Sequence, residues 1–226
     1  MTMEQKLIEI DLSLVSPDVI SVLIEDASDP VIFDEIAKAN TARPEIIELL
    51  LECPYTPASV REFAAGLMKL PVVVQQAEVP DTLEVKEARR ESLMQKIQRL
   101  NVSERVQLAR KGGREIRGIL CRDPNREVVL SVLENGKITE SEIEMLAKNR
   151  SAMEEVLRKI SKNREWMKKY AIVHALVTNP KTPAGVAVTF VTSIRTRDLA
   201  ALEKNKNVSE AVRIAAKKLL LVRKPR

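Results

Sequence analysis

Few residues in this chain have the type and spacing for covalent or acid–base chemistry. Its one histidine, His174, sits in "YAIVHAL" among apolar residues at helical spacing, where an imidazole reads as a packed neighbour and not as a base or ligand. No second histidine, no paired cysteine and no His-x-x-x-His arrangement offers a metal site, and Cys53 and Cys121 are far apart and read as small buried hydrophobes. There is no glycine-rich phosphate loop and no serine flanked by glycines in a nucleophile elbow. The acid pairs Glu142/Glu144 and Glu154/Glu155 fall on surface-helix patterns, where carboxylates are solvated and offset the positive end of a helix dipole. Trp166, the only tryptophan, is expected to pack between helices. The chain is therefore expected to be no enzyme, with no catalytic residue, no cofactor and no metal.

What remains is electrostatic recognition. Residues 1–82 hold 5 Lys/Arg against 15 Asp/Glu, and residues 83–226 hold 32 against 17, so a net charge of +5 conceals an acidic first part and a basic second part. Two cationic groups stand out. One contains Arg110, Lys111, Arg114 and Arg117, and the other contains Lys148, Arg150, Lys162, Arg164, Lys168 and Lys169. Lined up along one edge, these ten would form a positive strip fit for an acidic protein surface or for phosphates. A second reading stays open, in which they solvate short helices and offset the negative dipole ends. Aromatics at 3% argue against a platform for stacking single-stranded bases.

The elements that carry these charges are expected to be short helices. Apolar residues make up 45% and charged residues 31%, with only six glycines, a balance that favours helix over a turn-rich sheet. Lys-Asn-Arg recurs at 148–150 and 162–164 around Met153, Val156, Leu157 and Ile160, one stripe of a helix. Asn149 and Asn163 are expected to end helices in the left-handed conformation, and Ser151 with Glu154 to form a capping box. "NVSE" at 101–104 and 207–210 predicts two more capping boxes, from Asn101 and Asn207. Ser16-Pro17, Asp29-Pro30, Thr56-Pro57, Asp123-Pro124 and Thr182-Pro183 predict helix starts with proline at the first position, and Gly112-Gly113 predicts a stop. Stops at Asp123, Asn135, Asn149, Asn163 and Asn179 leave helices of about three turns, too short to persist without packing.

The chain also repeats itself. Shifted by 56 residues, 122–162 lies over 178–218, with Ile138 on Ile194, Leu146 on Leu202, Asn149 on Asn205, Glu154 on Glu210 and Val156 on Val212. Residues 36–67 share a cadence with 146–176. "LVTNPKTPAGVAVTFV" (176–191), "NVSEAVRIAAKKLL" (207–220) and "YTPASVREFAAG" (55–66) resemble segments of leucine-rich-repeat-variant proteins, relatives of HEAT-like solenoids, and "KNREW" with "NPKTP" resembles bacterial helical-repeat proteins. The resemblance implies an all-α fold, an α-solenoid of short antiparallel helices in a HEAT-like or leucine-rich-repeat-variant superhelix. It supplies no catalytic residue, because the repeat motif is structural.

The expected organisation is an acidic helical segment 1–68, a linker 69–84 carrying Pro71, Pro80 and three valines, and a basic helical array 85–226, its first helix longer, with Leu93, Ile97 and Leu100 on one side. A strand at Val72–Val74 would have no obvious partner. No apolar run reaches the ~18 residues of a bilayer span and no signal peptide is visible, so the expectation is a cytoplasmic protein with no membrane partner. The expected function is a non-enzymatic protein–protein interaction scaffold with an unidentified protein partner and salt-sensitive self-association. The alternative is nucleic-acid binding by the basic segment. A weaker reading, a base-processing enzyme on the same scaffold, would need more aromatics than one Trp and two Tyr.

Overall fold

The computed structural model describes residues 10–26, 29–71 and 82–223. Among them the chain is all-α, with fifteen helices, one 3-10 turn and no strand. It packs into two compact units, 1–137 and 138–226.

The first unit holds α1 (Pro17–Glu25), α2 (Val31–Ala39), α3 (Pro44–Glu52), α4 (Ala58–Met68), α5 (Leu83–Arg99), α6 (Val102–Lys111), α7 (Arg114–Leu120) and α8 (Arg126–Val132). Helix α1 packs on α3, α5 and α6, α2 on α4, and α6 on α7 and α8. Ile20, Phe33, Ile36, Ile46, Ile47, Leu50, Leu93, Leu108 and Ile116 fill the interior. As the sequence predicts, α5 is the longest helix of the unit and buries Leu93, Ile97 and Leu100.

The division by charge is not the division by packing. Helices α5 to α8 belong with α1 to α4, because their basic residues are the counter-ions of the acidic segment. Lys96 pairs with Glu25 at 2.6 Å, Lys111 with Glu35 at 3.3 Å, and Lys137 with Asp29. The Ile116 amide donates to the Asp26 carboxylate at 3.1 Å, and Ser16 donates to Glu104 at 2.9 Å. Of the expected linker 69–84, residues 72–81, with the strand expected at 72–74, lie outside the described residues. Lys69 closes α4 at φ 54°, and Thr82 caps α5, which starts at Leu83, inside the expected linker.

The second unit holds α9 (Glu140–Lys148), α10 (Glu154–Lys162), α11 (Arg164–Met167), α12 (Tyr170–Thr178), α13 (Ala184–Phe190), the 3-10 turn Val191–Ser193, α14 (Thr196–Lys204) and α15 (Glu210–Arg223). The 56-residue repeat is visible element by element. Shifted by that amount, α9 coincides with α14 end for end, and α10 begins where α15 begins. The matched apolar residues Leu146, Leu202, Val156 and Val212 are all buried. A shift of 110 residues also carries α3 onto α10 end for end, in line with the cadence shared by 36–67 and 146–176.

The joints are where sequence and structure part. Asn149 and Asn163 end α9 and α10, but at φ −66° and −82° and not in the left-handed region. Their side chains explain their presence. Each Oδ1 accepts an amide N–H two residues on, from Ser151 (2.9 Å) and Glu165 (3.0 Å), closing a turn that redirects the chain. Asn135, Asn179 and Asn205 accept in the same way from Lys137, Lys181 and Asn207, each at 2.9 Å. Ser151 is thereby drawn into the turn, α10 starts only at Glu154 without a side-chain cap, and the expected capping box is absent. Asn101 forms its capping box with Glu104. At the second "NVSE" the Val212 amide donates to Ser209 and Asn207 belongs to the preceding turn.

Of the five predicted proline starts, Ser16-Pro17 has proline at the first helical position. Pro30, Pro57 and Pro183 stand one residue earlier, at the cap, and Asn125 caps α8. The displaced Thr56 instead donates to the Leu50 carbonyl at 2.6 Å. Gly112 does end α6, yet at φ −59°. A methyl there would sit 2.6 Å from the Ile116 side chain and 2.7 Å from the Leu108 carbonyl, so glycine serves close approach and not a left-handed turn.

Candidate functional site

The candidate cations divide between the units. In the first, Arg110 pairs with Glu134 at 3.2 Å and Lys111 with Glu35, so both are engaged within the fold. Arg114 opens α7 and is exposed. Arg117 cannot belong to an interaction surface. It is 3% exposed and its guanidinium donates to the Gly112 carbonyl at 3.1 Å, tying the end of α6 to α7.

The six candidates of the second unit are all exposed. Lys148 pairs with Glu144 at 2.5 Å, Lys168 with Glu165 at 2.7 Å and Lys169 with Glu140 at 2.6 Å. Arg150, Lys162 and Arg164 have no carboxylate partner among the described residues, and the same holds for Lys181, Lys204 and Lys206 at later joints. Sequence reading passed over these last three. The signal was available, since each stands beside Asn179 or Asn205, the positions that repeat the Lys-Asn-Arg punctuation. Residues 138–226 carry 19 Lys/Arg against 9 Asp/Glu, a net of +10, whereas 1–137 amounts to −5.

Three joints of the second unit meet. Asn179 Nδ2 donates across to the carbonyls of Ala147 (2.7 Å) and Asn149 (2.9 Å), which sets the C-terminus of α12 beside that of α9. Asn205, at the end of α14, joins them around a shallow hollow of about 210 Å³ lined by Lys148, Arg150, Ala175, Thr178, Asn179, Pro180 and Asn205. Three helix C-termini bring negative partial charge to this spot, and Lys148 and Arg150 offset it. Both readings of the joint cations therefore have a physical basis. Lys148 answers a carboxylate and a helix end, while the Arg150 guanidinium projects a charge that no carboxylate among the described residues matches.

The other chemistry-bearing residues have structural work. Glu142 closes a capping box with Thr139, Glu144 holds Lys148, and Glu154 holds Arg158 at 2.5 Å. His174 is half-buried, its ring 5.9 Å from that of Tyr170. The Tyr170 hydroxyl donates to Asp198 and accepts the Arg195 amide at 3.3 Å, while the Arg195 guanidinium lies 4.2 Å over the ring. The hydroxyl thus caps α14 from another helix. Its hydrogen bond, followed by the charges of His174, Arg197 and Arg195, holds Asp198 below its ordinary value, and burial together with Asp198 raises Tyr170. Trp166 is half-buried in α11. Cys53 is buried at the end of α3 and its thiol donates to the Ile24 carbonyl at 3.3 Å. Among the described residues no three His, Cys, Asp or Glu side chains converge as metal ligands, and no helix is long and apolar enough to cross a membrane.

No protein-family model, curated protein or solved structure matches the chain.

Proposed function

We propose that this protein is a non-enzymatic helical-repeat scaffold whose second unit docks an acidic protein surface through the cations at its joints. The observation that carries this reading is the set Arg150, Lys162 and Arg164, exposed at successive joints without a carboxylate among the described residues. Exposed unpaired cations cost little folding stability, and their field steers and orients an oppositely charged partner. The equivalence of α9 with α14 and of α3 with α10 supports a HEAT-like or leucine-rich-repeat-variant solenoid as the frame, in which joints recur at the same place in each repeat.

The unpaired cations also bear on nucleic acid, the second reading. A phosphate-tracking surface works by uncompensated positive charge, and here Glu140, Glu144, Glu154 and Glu165 interleave with Lys169, Lys148, Arg158 and Lys168. That mixture of signs favours a protein partner.

Affinity purification of the tagged full-length chain from its host, beside a chain carrying Arg150→Glu, Lys162→Glu and Arg164→Glu, tests the reading. The expected result is an acidic protein that co-purifies with the first and is lost from the second. Equal recovery on both, or a duplex gel shift by the full chain whose log affinity falls linearly with log salt, overturns it.

A further inference from the structure

Twelve large apolar side chains of the described residues are exposed, and six of them form two groups, one on α4 and just past its end and the other on α15. On α4 the outward residues are Ser59, Glu62, Phe63, Gly66 and Leu67, at helical spacing, and the exposed Lys69 and Leu70 follow its end, with Phe63 43%, Leu67 40% and Leu70 51% exposed. A methyl placed on Gly66 would meet nothing within 4 Å, so this face is open at its middle. On α15 the outward residues are Ala211, Ile214, Lys217, Lys218, Leu221 and Val222, with Ile214 47%, Leu221 69% and Val222 81% exposed. The opposite face of α15 buries Val212, Ala216 and Leu220 against α13 and α14.

We infer that the α15 stripe of one copy docks on the α4 stripe of a second copy. Two apolar stripes of this size left in water favour association. Charge selects the pairing. The α15 stripe carries Lys217 and Lys218 on a unit of net +10, and the α4 stripe carries Glu62 and Lys69 on a unit of net −5. Pairing α15 with α15 would set four lysines face to face, and pairing two units of like net charge is disfavoured in either case, so the unlike pairing wins. A contact between unlike surfaces either closes on itself, reciprocally in a dimer or as a larger ring, or leaves one of each kind free and continues. Neither stripe includes a joint cation, so the stripes are separate from the acidic-partner surface.

The test is sedimentation of the full-length chain across a concentration series, with circular dichroism confirming that each variant is folded. The unaltered chain should at least double its mass on concentration, the more so at low salt. Phe63→Glu with Leu67→Glu, and separately Leu221→Glu with Val222→Glu, should each hold the chain monomeric. Mixed in equal amounts, the two monomeric variants should form a dimer and stop there, because one intact stripe of each kind remains. Arg150→Glu with Lys162→Glu and Arg164→Glu, which lie off both stripes, should weaken the association at low salt and leave it intact at high salt. A monomer at every concentration, no dimer from the mixed variants, or loss of association from only one of the two stripe variants overturns the inference.

Discussion

The asparagines at the joints show why one residue type recurs. Asn179 uses both ends of its amide, accepting from Lys181 and donating to two carbonyls of an earlier joint. Alanine there strands buried carbonyls at a cost of about 1–3 kcal/mol. Aspartate should cost more at neutral pH, since a carboxylate cannot donate and would face those two oxygens. Urea unfolding of Asn179→Ala and Asn179→Asp checks both the loss and its order. Glycine offers a second contrast. Gly112→Ala forces its methyl onto Ile116 and the Leu108 carbonyl and should destabilise by roughly 1–3 kcal/mol. Gly118→Ala, inside α7 with nothing within 4 Å of the new methyl, should stabilise by about 0.5–1 kcal/mol through helix propensity. The same denaturation series reads both, and equal shifts for the two glycines would contradict the packing account. That Asn149 and Asn163 end helices was legible from their spacing. Their backbone conformation was not, because asparagine serves left-handed caps and side-chain turns equally well, and only the neighbouring amide decides between them.

Among the elements, helix existence was the most readable feature. Stripes such as Val156, Leu157 and Ile160 are buried as their spacing demands. Starts slipped by one residue at Pro30, Pro57 and Pro183 and by two at Pro124, while Pro17 opens α1 as expected, since proline tolerates both the cap and the first position. The Tyr170 clamp was not legible, because it links α12 to the cap of α14 across 28 residues. Its pH dependence follows from the directions of the two shifts. Asp198 is held below its ordinary value of 3.8, so its contribution is present above that value and lost as pH falls through the lowered one. Tyr170 is held above 10.0, so its contribution is present below that value and lost as pH rises through the raised one. In Tyr170→Phe, Asp198 should titrate closer to its ordinary value in a carboxyl NMR titration, and acid unfolding should begin at a higher pH. An unchanged Asp198 titration would show that the hydroxyl does not hold it. Of the candidate strip, exposure of the second-unit cations was legible from the polar faces of their helices. Burial of Arg117 and capture of Lys111 by Glu35 were not, because both depend on contacts between separate helices.

At the scale of the whole chain, charge misled about boundaries for a physical reason. Oppositely charged segments attract, so an acidic stretch followed by a basic one is as apt to fold together as apart, and Lys96 with Glu25 shows the former. The packing predicts that residues 138–226 expressed alone are helical and unfold cooperatively by circular dichroism. A shapeless spectrum from that fragment would contradict an independent second unit. The position of the thiols has a further use. Cys53 and Cys121 are both buried thiols outside any disulfide, both lie in the first unit, and residues 138–226 contain no cysteine. Burial pushes the Cys53 thiol above its ordinary value of 9.0, so the native chain should react slowly with an alkylating reagent. Every modified sulfur then records an opening of the first unit alone, and a stopwatch on that reaction separates its breathing from that of its neighbour without a single engineered label.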